Sequence, residues 1–68
     1  MGNRAIELMK FNLEKEKSKM NGYAEEVRSF QAEYGYHQCD YVNYRKEMEL
    51  FHRGRVNLLM DLIRELES

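Results

Sequence analysis

Residues 6–34 read IELMKFNLEKEKSKMNGYAEEVRSFQAEY. Within this stretch Ile6, Met9, Leu13, Glu16, Met20, Tyr23, Val27, Phe30 and Tyr34 follow one another at alternating intervals of three and four residues. All but Glu16 present an apolar or aromatic body. That rhythm is the seam of a helix packed along one narrow stripe, held for about four heptads. Asn3 is a suitable N-cap and Gly35 a suitable residue to end the helix in a left-handed turn. The first helix is therefore expected from about residue 4 to residue 34.

Asn21-Gly22 is the one local conflict, because Asn-Gly favours a hairpin turn when strands flank it. The flanking residues do not alternate as strands do. The seam passes from Met20 through Tyr23 to Val27 in phase, with Gly22 off it. A continuous helix bearing one glycine, at a cost of about 1 kcal/mol, fits better than a break into three short helices.

Residues 35–39 are expected to connect this helix to a second. Asp40 is read as its N-cap, with Asn43 as a weak reciprocal partner. The second helix, to about residue 66, offers a seam of Tyr41, Tyr44, Met48, Phe51, Arg55, Leu58 and Leu62. After Gly54 a second stripe appears one residue out of phase: Val56, Leu59, Ile63 and Leu66. The fold class is thus all-α, a long antiparallel helical hairpin of coiled-coil type forming one domain. Glu16 and Arg55, the polar members of the two seams, fall within about a turn of each other. They either pair and fix the register or reach past the seam into water.

The chain has 68 residues, 11 Lys+Arg against 12 Asp+Glu, no proline and a single cysteine. The charge balance excludes a globally basic nucleic-acid binder and an acidic mimic of DNA. With 43% hydrophobic and 34% charged residues, the chain is too apolar for disorder and too charged to cross a membrane. One cysteine makes no internal disulfide and no leader is evident, so the expected location is the cytoplasm.

A domain this small has a marginal core. Leu8, Phe11, Val56, Leu59, Met60 and Ile63 lie off the two main seams and gather at the open end of the hairpin. They are expected to drive self-association, giving a dimeric four-helix bundle. A three-helix monomer broken at Gly22 is the other way to shelter them.

No catalytic constellation stands out. Cys39 lies two residues after His37, but no third group orients a nucleophile. His37, Cys39, Asp40 and His52 match no known spacing of metal ligands, and no glycine-rich phosphate loop exists. The expectation is no enzyme, no cofactor and no metal.

Two surfaces remain for a partner. Tyr34, Tyr36, Tyr41 and Tyr44 cluster about the connection. Three of them are seam residues suited to closing that end of the hairpin, whereas Tyr36 and His37 are left to face a protein partner. Arg45, Lys46, Arg53 and Arg55 with His52 form a basic stretch of the second helix, diluted by Glu47 and Glu49. There Arg45 and Arg53 are candidate contacts to a partner, including the phosphates of RNA or DNA. In length and expected architecture, though in no stretch of sequence, the chain resembles the plasmid copy-control repressors. These are small helical hairpins that dimerise and bind paired RNA. The resemblance carries no site residue over.

The favoured function is a small non-catalytic protein-interaction module, a regulator, inhibitor or adaptor acting as a homodimer. A dimeric nucleic-acid binder and a purely structural oligomerisation module are the alternatives.

Overall fold

The computed structural model describes residues 3–68, with side chains from Arg4 onward. It contains two helices, α1 (Asn3–Tyr34) and α2 (Asp40–Glu67), which pack antiparallel into a hairpin 51 Å long. No strand occurs among the described residues. α1 runs unbroken through Gly22. The capping role expected of Asn3 lies outside the described side chains.

The reversal between the helices is built as the sequence requires. Gly35 adopts φ +87°, a left-handed conformation that a Cβ would strain, and its N–H donates to the carbonyl of Gln31 at 2.9 Å. The N-cap of α2 is Cys39, in extended conformation, and not Asp40. Its carbonyl accepts the first helical hydrogen bond from the Asn43 N–H at 2.8 Å, and its side chain caps nothing. Asp40 instead occupies the first helical turn. There its charge complements the positive end of the helix dipole, so the helix starts without a capping box.

Replacement of Gly35 by alanine should cost about 1 kcal/mol, because the left-handed φ penalises any side chain. Gly54 lies in the interior of α2 with nothing within 4 Å of a Cβ placed there. Gly54→Ala should stabilise by about 0.5–1 kcal/mol. Opposite shifts in melting temperature for these two identical substitutions are the check.

The seam of α1 is the one its periodicity indicates as far as Phe30, but its last member, Tyr34, is 56% exposed. Glu16 and Val27 are buried, and Ile6, Met9, Leu13, Met20, Tyr23 and Phe30 are half-buried. The seam of α2 is not. Val42, His52, Val56 and Ile63 are buried, with Arg45, Glu49 and Leu59 half-buried between them. This stripe recurs at three- and four-residue steps, displaced by one residue from Tyr41–Tyr44–Phe51–Arg55–Leu58–Leu62. The late stripe Val56–Leu59–Ile63 is therefore the end of the true seam, extended back to Val42.

Two physical demands set this phase. The aromatic rings of α1 need flat partners, and this phase lays His52 on Tyr23 and Tyr41 on Phe30. Glu16, buried in α1, needs donors opposite, and only this phase turns His52 inward.

Candidate functional site

Glu16 is the centre of the only buried polar cluster among the described residues. His52 Nδ1 donates to its Oε2 at 2.5 Å, and Arg55 Nε donates to its Oε1 at 2.7 Å. Burial by itself raises the Glu16 carboxyl. The two hydrogen bonds and the charges of Arg55 and His52 outweigh it, so the group is held below its ordinary range. The His52 ring stacks on Tyr23 with centroids 5.8 Å apart and meets the edge of Phe51 at 5.1 Å. The cluster joins the two helices through residues 36 and 39 positions apart in sequence. Of the two outcomes open to Glu16 and Arg55, pairing is the one that forms, and His52 completes it. Sequence reasoning missed His52 because it was placed with the solvent-facing basic residues. Its position opposite an acidic seam residue was the available signal.

Two further ion pairs cross between the helices: Lys10–Glu67 at 2.7 Å and Arg45–Glu26 at 2.6 Å. Arg45, expected to meet a partner, is committed within the hairpin. Besides Glu26 it donates to the carbonyl of Tyr41 at 3.2 Å and lies 3.5 Å above the Tyr41 ring. Arg53 is exposed but bonds Glu49 one turn away at 3.1 Å. With Arg55 on Glu16, three of the four cations of the basic stretch already face a carboxylate.

The residues expected to self-associate divide. Val56 and Ile63 are buried against α1 and Leu59 is half-buried, because they belong to the intramolecular seam. Leu8, Phe11 and Met60 are exposed, with the Lys15 ammonium 5.3 Å above the Phe11 ring. Met60 is two residues from Leu58, so its side chain points to the other flank of α2.

Around the connection, Tyr36 and His37 are both exposed, Tyr36 at 87%. Tyr41 stacks on Phe30 at 4.9 Å and Tyr44 meets Tyr23 edge-on at 6.3 Å, yet each ring remains about half exposed. These tyrosines cover the seam from the side and do not fill it. His37, Cys39 and Asp40 lie at the connection, whereas His52 is buried in mid-helix, about 18 Å along α2 from Asp40. No group of three His, Cys, Asp or Glu side chains suited to a metal occurs among the described residues.

The displaced seam leaves the main feature of the surface. Tyr41, Tyr44, Phe51, Leu58 and Leu62 form one exposed stripe down α2. Arg55 continues it, with its guanidinium 5.6 Å from the Phe51 ring. A groove between Asn12, Lys15, Glu16 and Lys19 of α1 and Arg55 and Leu58 of α2 shows which residues of α1 flank this face. No described helix is long and apolar enough to cross a membrane. No family model, no curated protein and no solved structure matches the chain.

Proposed function

We propose that the chain is a small non-catalytic protein-interaction module, a regulator, inhibitor or adaptor that acts as a homodimer and folds with its second copy into a four-helix bundle. The observation that carries this reading is the exposed stripe on α2. Single apolar residues on a surface need no explanation, but five large ones in heptad phase, interrupted only by half-buried Met48 and by Arg55, are a packing surface. Burial of a second stripe on the same helix also offsets the small core of a lone hairpin, whose buried apolar residues are Val27, Val42, Val56 and Ile63.

The pairing of Arg45, Arg53 and Arg55 weakens the alternative of nucleic-acid binding, because a cation held by a carboxylate releases little from a phosphate backbone. The exposed Tyr36 and His37 supply a further contact for a protein partner at the closed end, far from the two chain ends.

Sedimentation equilibrium of the purified chain tests the reading. The expected mass is twice 8.3 kDa, changing little between low and high salt. A stably helical single copy across the micromolar range overturns the homodimer.

A further inference from the structure

The stripe on α2 is nearly symmetric about its middle. Phe51 stands at the centre. Tyr44 and Leu58 are each seven residues from it, Tyr41 is ten residues before and Leu62 eleven after, and Met48 and Arg55 are three before and four after. Reversed, the series superimposes on itself to within one residue. An antiparallel copy therefore sets Tyr41 over Leu62 and Tyr44 over Leu58 throughout its length.

The α1 flank of the same face is divided by charge. Lys15 and Lys19 border it toward the open end, beside Arg55 and Leu58. Glu33, and Glu26 whose Oε2 already accepts from Arg45, border it toward the connection, beside Phe30 and Tyr41. A parallel copy places like charges together, whereas an antiparallel one carries the basic half over the acidic half.

The size also fits. Three aromatic rings left 41%, 51% and 54% exposed leave about 300 Å² uncovered by themselves. The broad side of the hairpin as a whole measures 51 Å by 15 Å, the scale of the ~800 Å² per partner of a stable interface.

We infer that the occupant of this face is a second copy of the chain, packed face to face about a two-fold axis beside Phe51, with α2 against α2 antiparallel. The inference rests on the homodimer reading and assigns its surface and register. An isologous contact of this kind closes after two copies and leaves no free stripe to propagate. Val56, Leu59 and Ile63 take no part, since they pack inside each hairpin. The opposite flank, with Leu50 and Met60, stays outside the dimer.

Cross-linking in a Cys39→Ser background tests the register separately from the mass. Phe51→Cys should oxidise with diamide to a covalent dimer, and Leu50→Cys, one residue round the helix, should not. Lys15→Glu should raise the dimer dissociation constant about tenfold at low salt, through two symmetry-related ion pairs, and less at high salt. A dimeric mass with cross-linking at Leu50→Cys in place of Phe51→Cys overturns this face while leaving the homodimer standing. Cross-linking at Phe51→Cys with no response to Lys15→Glu overturns the charge-matched antiparallel register. A monomeric mass removes both.

Discussion

Glu16→Ala should lower the unfolding free energy by about 1–3 kcal/mol, a large share of what one helical hairpin holds. The loss arises because His52 stays buried with no acceptor, while the exposed arm of Arg55 can turn to water. The double replacement Glu16→Leu with His52→Leu should recover most of the stability, since apolar side chains of similar volume replace a buried hydrogen-bonded pair at little cost. Urea denaturation of the two variants beside the parent chain checks this. A double variant as unstable as Glu16→Ala alone would show that the cluster contributes net stability beyond satisfying itself.

The same group gives a dependence on acid. Its folded carboxyl lies below the ordinary value of 4.5, so protons bind the unfolded chain first as pH falls. The stability owed to Glu16 is fully present above about pH 4.5 and is lost as pH drops through the lower folded value. In Glu16→Gln that part of the acid response should vanish, leaving a flatter melting temperature below pH 4.5.

Val56→Glu and Leu58→Glu differ by two positions and should differ widely in outcome. Val56 is 5% exposed, and a carboxylate there is buried without a donor, at about 3 kcal/mol or more. Leu58 is 59% exposed, and its replacement leaves the seam between α1 and α2 intact. Circular dichroism over a hundredfold dilution separates the two. Val56→Glu should lose helicity at every concentration, whereas Leu58→Glu should show only the concentration-dependent part that belongs to association. The reverse order, with Leu58→Glu unfolding at every concentration and Val56→Glu tolerated, would mean that α2 packs on α1 in the phase of Tyr41, Phe51 and Leu58.

That phase is where the sequence was hardest to interpret. The seam of α1 was legible because its apolar residues form a single stripe, interrupted only by Glu16. The turn was legible because Gly35 follows the last seam residue. On α2 the apolar residues split between two adjacent stripes, and the greasier one is exposed. The buried one contains Arg45, Glu49 and His52, which no hydrophobicity count selects. Only the pairing of the helices reveals why they belong there: Glu16 demands donors, and the Tyr23 ring stacks on His52. For the same reason Arg45 looked free in the sequence, because Glu26 lies on the other helix and comes beside it only when the chain doubles back.

The doubled-back path has a mechanical consequence. Both ends of the hairpin lie together, so tension applied through them opens the helices from one side, latch by latch, instead of sliding one along the other. Lys10–Glu67 gives way first, the knot at Glu16 next and Glu26–Arg45 last. Each step loads only a few contacts at a time, which makes this a zipper that yields at low force in a fixed order, with its strongest catch part-way along.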